Sequence, residues 1–182
     1  YLLFTDVPGN TIHKWSEEAG LETFLQPSGL VGEDTEGVFR EPGANGLIPG
    51  DMPGAILLAD HGNRGIARLD LETKEKTFLA TRFDGKRFSS PNDLVLAEEG
   101  AIYFTDPPYG LRELDASPFR EMAFNGVYLW RPDEDGGSVR VIDDSLTRPN
   151  GIVRSPDGGT LYVAVSDPDA ARVYAYTLGA DG

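Results

Sequence analysis

No cysteine occurs in the 182 residues. Disulfides, thiolate metal sites and a thiol nucleophile are therefore excluded, while the compartment stays open between cytoplasm and periplasm, since both tolerate a cysteine-free protein. Basic residues are scarce, with 16 Lys and Arg against 30 Asp and Glu and a formal charge of -14. Such a surface repels nucleic acid and anionic lipid, and neither is expected as a partner. No apolar run approaches the roughly 20 residues of a membrane span. Histidine is limited to His13 and His61, and no stretch keeps a helical period. What the chain has instead is turn chemistry. Its 22 glycines and 13 prolines are too few for low complexity but suit many short strands. Hydrophobic residues at 40% and aromatics at 10%, with a mean hydropathy of -0.30, are enough for a folded core.

The strands repeat. Ala44-Asn45-Gly46-Leu47-Ile48, Pro91-Asn92-Asp93-Leu94-Val95 and Pro149-Asn150-Gly151-Ile152-Val153 align, with their asparagines 47 and 58 residues apart. Each is followed by a second apolar strand (Ala55 to Asp60, Ala101 to Asp106, Thr160 to Val165) and then by a third (from Gly65, Gly126 and Arg172). A fourth begins at Lys76 and at Ser138. Tyr1 to Asp6 resembles Ala101 to Asp106, so the chain reads as starting at the second strand of a unit and as a piece of something longer. Units of about 40–50 residues with four antiparallel strands build propeller blades. The expected fold is therefore all-β, a β-propeller of about three and a half four-stranded blades. It comprises a partial blade at 1–30, blades at 44–80 and 91–142, and a partial blade at 149–177. Short strands at these intervals are also compatible with a sandwich or barrel. The long loop Pro107 to Asn125 enlarges the third unit and, at that length, is expected to be functional.

In a propeller the first strand of each blade lines the central channel, which brings Asn45, Asn92 and Asn150 to equivalent positions. Their amide oxygens suit a hard cation, Ca²⁺ or Mg²⁺, with Zn²⁺ or Mn²⁺ as competitors. The alternative is that they are turn asparagines, a role in which Asn-Gly and Asn-Asp are common. Asp6, Asp60 and Asp106 end second strands and are expected to bind nearby backbone N–H groups. His61, in Asp60-His61-Gly62-Asn63-Arg64, is a candidate acid or base, with a hydrogen-bonded structural histidine as the other reading. The aromatic residues Tyr103, Tyr128, Trp130, Tyr162 and Tyr174 are expected to pack between blades.

The strings ADHGNRGIARLD (59–70), GKRFSSPNDLV (85–95), GAIYFTDPPYG (100–110), FNGVYLW (124–130) and RPNGIVRSPDGGTLYV (148–163) resemble the SMP-30/gluconolactonase, or regucalcin-like, family. The resemblance implies a six-bladed propeller with one divalent cation at the channel mouth, usually Ca²⁺ and in some members Zn²⁺. In the family the ligands are a Glu of the first inner strand, two Asn and an Asp of the fifth blade. Asn92 and Asn150 match the two Asn as metal ligands, while the Glu and Asp have no counterpart in this sequence, Glu36-Gly37 being a poor substitute. The implied activity is metal-dependent hydrolysis of a sugar lactone or related small lactone. A carboxylate, in the family the Asp ligand that lies outside this sequence, or His61 would assist the attack of water, and Asn45, Tyr109 and Arg148 would bind substrate. With two ligands missing, the 182 residues alone are expected to be inactive or very weak. An organophosphate or aryl-ester hydrolase on the same fold, or a non-catalytic NHL-like or calcium-binding scaffold, are the alternatives.

Overall fold

The computed structural model describes residues 1–179 and 181–182. The described residues form four antiparallel meanders and one small hairpin. The first sheet holds β1 (Leu2–Asp6), β2 (Thr11–Ser16) and β3 (Gly20–Leu25). The second holds β4 (Ala44–Pro49), β5 (Ala55–Asp60), β6 (Gly65–Asp70) and β7 (Lys76–Ala80). A hairpin of β8 (Arg82–Phe83) and β9 (Lys86–Arg87) turns at Asp84-Gly85, both at positive φ. The third sheet holds β10 (Leu94–Leu96), β11 (Ile102–Asp106), β12 (Gly126–Arg131) and β13 (Ser138–Asp143). The fourth holds β14 (Pro149–Arg154), β15 (Thr160–Val165) and β16 (Arg172–Thr177). Within each sheet, spatial order follows chain order. The hairpin is the one strand pair that the repeat did not anticipate.

Strand alternation explains how the sheets stack. Successive side chains of a strand point to opposite faces. On β5, Ile56 and Leu58 enter a core shared with the first sheet, whereas Leu57 and Ala59 enter a core shared with the third. On β11, Ile102 and Phe104 join that second core, and Tyr103 joins a further core with Ile152, Leu161 and Val163 of the fourth sheet. The two inner sheets are therefore apolar on both faces. The outer two are not covered on both, and Leu2, Phe4, Trp15 and Leu21 of the first sheet and Val153, Tyr162 and Val173 of the fourth are exposed. Tyr162 thus departs from the expected packing between sheets, because its face of the fourth sheet meets no other described sheet.

The first strands of neighbouring sheets touch, β4 with β10 and β10 with β14. The long loop before β12 contains a short 3-10 turn, Leu114–Ala116. It lies along the segment after β3, with Arg112 N–H donating to Val38 O at 2.8 Å and Arg40 N–H to Gly110 O at 2.9 Å. One residue of this loop, Met122, is buried in the core beside Phe104 and Tyr128.

Candidate functional site

Asn45 and Asn150 occupy the same local structure. Ala44 pairs with Asp60 and Leu47 with Leu58, so β4 spends one more residue than β5 between those pairs. Pro149 pairs with Val165 and Ile152 with Val163, with the same one-residue excess in β14. Each Asn-Gly is thus a β-bulge, a device that re-aims a side chain. Asn92 stands just before β10, its N–H bonded to Thr105 O at 2.8 Å.

Hydrogen bonds join the three asparagine segments across sheets. Gly46 N–H donates to Asn92 O at 2.8 Å. A Cβ on Gly46 would stand 2.7 Å from Asp93 Oδ1 and 2.8 Å from Asn92 O, so only glycine permits this approach. The Thr105 hydroxyl donates to Asn150 O at 2.6 Å. Asp93 Oδ1 accepts from Leu94 N–H at 2.9 Å, and Oδ2 accepts from Ile152 N–H of the fourth sheet at 3.0 Å. Burial pushes the Asp93 carboxyl above the usual range, and those two N–H groups oppose the rise. Asp93→Ala would leave the part-buried Ile152 N–H unpaired, and we expect a loss of about 1–3 kcal/mol in urea unfolding. A loss within experimental error would mean that this carboxylate does not hold the seam.

The loop leading to Asn92 is fixed from behind. Asp106 is fully buried and accepts from Ser89 N–H at 2.8 Å and Ser90 N–H at 2.7 Å. Ser90 Oγ donates to Pro107 O at 2.6 Å and accepts from Gly110 N–H at 2.8 Å. Asp6 and Asp60 do bind their own turns, at Gly9 N–H and Asn63 N–H. Asp106 instead reaches the preceding loop. Burial raises its pKa to about 7 against the pull of the two N–H groups and Arg64. Between about pH 4 and pH 7 the folded protein then holds a proton that the unfolded chain has lost, so this group's contribution falls as pH rises. Asp106→Asn removes that dependence. The unfolding free energy of the variant relative to wild type is expected to improve by about 1.4 kcal/mol per pH unit across the window. A difference independent of pH would show that Asp106 is ionised throughout.

The side chains singled out from the sequence fall into two groups and one separate residue. His61 Nε2 lies 3.2 Å from Asn45 Nδ2. The His61 ring is wholly enclosed at 0% exposure, and a Cβ on Gly110 would stand 2.8 Å from its Nδ1. Burial lowers its pKa to about 4, so it is neutral at pH 7. The adjacent Asp60 fixes the turn, bonding Asn63 and, at 2.6 Å, Lys76 Nζ, which also reaches Ser28 O. In the second group, Tyr109 Oη lies 2.7 Å from Ser166 Oγ, Asn150 Nδ2 donates to the same Oγ at 3.1 Å, and the Arg148 guanidinium lies 5.8 Å from the Tyr109 ring centre. Arg148 also bonds Asp115 at 3.1 Å. The Asn92 side chain shares no hydrogen bond with either group and is 5% exposed. Sequence reasoning missed Ser166, Asp93 and Thr105. Ser166 had a spacing that pointed to it, since it follows Asn150 by 16 residues as His61 follows Asn45 by 16.

Among the described residues, no group of three or more His, Asp or Glu could hold a metal. The donors of the three asparagines are neutral amides, and the Asp93 carboxylate beside them is engaged by Leu94 and Ile152 N–H. The amide donors are hard oxygens that suit Ca²⁺, but a cation taking six to eight oxygens draws on carboxylates as well. The asparagines therefore fit as part of a ligand set.

The profile of the SMP-30/Gluconolactonase/LRE-like region matches residues 1–182. The chain belongs to this family. A gluconolactonase of Zymomonas mobilis is 44% identical over 182 residues, covering 100% of this chain and 50% of the relative. Lactonohydrolase oryL of Aspergillus oryzae is 32% identical over 109 residues, 60% of this chain and 24% of that protein. The solved structure of a gluconolactonase from Xanthomonas campestris superposes with a TM-score of 0.76 at 31% identity, over 97% of this chain and 54% of that one. The chain spans about half the length of the gluconolactonases it matches.

Proposed function

We propose that the natural-length protein hydrolyses a small lactone of the sugar-lactone class at the seam of Asn45, Asn92 and Asn150. The observation that carries this reading is the convergence of three asparagine segments, joined by hydrogen bonds, on the touching first strands of successive sheets. Membership of the gluconolactonase family supplies the reaction class. The oxygen of water bonds to the ring carbonyl carbon, the acyl carbon–oxygen bond breaks, and the ring oxygen leaves as a hydroxyl carrying one proton. The other proton is released as the carboxylate forms.

Asn92 and Asn150 would hold a divalent cation, Ca²⁺ in preference to Zn²⁺ given oxygen donors, with Mg²⁺ the other hard ion that suits them. When bound, such an ion supplies positive charge that polarises an ester carbonyl. Its carboxylate ligands we place outside these 182 residues. Asn45, Tyr109 and Arg148 offer hydrogen bonds to the substrate's hydroxyls and carbonyl. In fold terms, we read the four sheets as about three and a half blades of a six-bladed propeller, a reading supported by the apolar side chains exposed on the first and fourth sheets.

A substrate panel tests this. The natural-length protein is expected to open δ-lactones of sugar acids in preference to aryl esters and phosphotriesters. Faster turnover of either of the latter would move the reading to another electrophile, and absence of both turnover and stoichiometric metal binding would favour a scaffold.

A further inference from the structure

We infer that His61 and Ser166 are positioning residues, each gripping the NH₂ of one channel asparagine so that its carbonyl oxygen is presented to the site. The inference deepens the lactonase reading, which supplies what those oxygens face. Its basis is a repeated geometry. In two different sheets the asparagine sits in a one-residue bulge of the first strand. In both, its Nδ2 meets a side chain 16 residues later, in the residue directly after the second strand. The two partners differ chemically, an enclosed imidazole in one sheet and an exposed hydroxyl in the other, yet each offers a lone pair at the same place.

An amide is planar, so holding its nitrogen fixes where its oxygen points. At Asn45 the orientation follows from the other side of the ring. His61 Nδ1 lies on the side of Glu41, 3.7 Å from Oε2, and makes no hydrogen bond among the described residues. We assign the proton to Nδ1, on the side of the carboxylate, which leaves Nε2 as the acceptor. The reversed amide would set oxygen against that lone pair. At Asn150, Ser166 Oγ accepts from Nδ2 while it exchanges its own hydrogen bond with Tyr109. The full enclosure of His61 keeps it from touching a ligand, so it acts through Asn45. The third sheet lacks the device. Pro107 follows Asp106 there and has no group to offer an amide, and the Asn92 segment is held by backbone bonds instead.

The test is made on ¹⁵N-labelled natural-length protein, by following the side-chain NH₂ signals of Asn45 and Asn150. In His61→Leu the Asn45 pair is expected to shift and to exchange faster with water, and in His61→Gln, which keeps an acceptor near the Nε2 position, to return. Ser166→Ala and Ser166→Thr should do the same for Asn150. With these changes we expect KM for δ-gluconolactone to rise about tenfold in His61→Leu, with kcat little altered. Ca²⁺ affinity by calorimetry should fall at least about tenfold in Ser166→Ala and recover in Ser166→Thr. Unmoved NH₂ signals in His61→Leu and Ser166→Ala would overturn the inference. If the buried His61 variant fails to fold, the exposed Ser166 pair decides alone. Shifted and rescued signals uphold positioning even if the wild-type protein neither binds Ca²⁺ nor opens lactones, a result that would sink only the proposed function.

Discussion

Asn150→Ala, made in the natural-length protein, is expected to lower kcat/KM for lactone opening about 100-fold or more while leaving the fold intact. Both halves of that expectation come from the way Asn150 is attached. Its tie to the third sheet runs through its backbone oxygen, which accepts from the Thr105 hydroxyl at 2.6 Å. Alanine keeps that oxygen and the bulge. What it removes is an amide whose nitrogen is bonded to Ser166 and whose oxygen we assign to the site. Urea unfolding should therefore change by less than about 1 kcal/mol, and steady-state kinetics should carry the whole effect. Undiminished turnover would remove Asn150 from the machinery. A collapse of stability along with activity would mean that the side chain is a structural turn asparagine.

The largest expected effect on stability is that of Phe104→Ala. Phe104 is fully buried between the second and third sheets, its ring centre 5.2 Å from Phe88 in an edge contact and 5.1 Å from Tyr128 in a stacked one. Truncating a buried phenylalanine costs about 3–5 kcal/mol, part lost transfer energy and part residual cavity. Against a total of about 5–15 kcal/mol for a typical domain, that is a large share. Tyr128→Phe is the matched control. The Tyr128 hydroxyl is buried without a hydrogen-bond partner among the described residues, so its removal leaves no donor stranded and is expected to be neutral or stabilising. Chemical denaturation of both variants checks the pair. A mild Phe104→Ala together with a damaging Tyr128→Phe would show that a polar contact, not aromatic packing, holds this core.

Much of the architecture was legible because its cause is periodic. Alternating strands such as Ile102 to Asp106, bounded by glycine-rich turns and preceded by an asparagine motif, announce themselves in each unit. The convergence of Asn45, Asn92 and Asn150 on touching first strands follows from the same repetition. What stayed hidden depends on contacts between distant segments. Nothing beside His61 in the chain reveals that Gly110 closes over its ring, or that burial keeps it neutral. Asp106 looks like Asp6 and Asp60, yet it binds Ser89 and Ser90 of the preceding loop, and the next two residues, Pro107 and Pro108, have no N–H to offer it. Met122 lies in a long loop that reads as functional surface, and only the packing around Tyr128 shows that it is core. The bulges were equally invisible, since a one-residue excess appears only once two strands are paired.

The most direct measurement is acid release from δ-gluconolactone by the natural-length protein in a pH-stat at constant pH. It is made first untreated, then after removal of divalent cations with a chelator, and finally after Ca²⁺ is returned. Turnover well above the spontaneous rate, abolished by the chelator and restored by Ca²⁺, is the result predicted here. Ring opening no faster than in buffer, or turnover indifferent to the chelator, would contradict it.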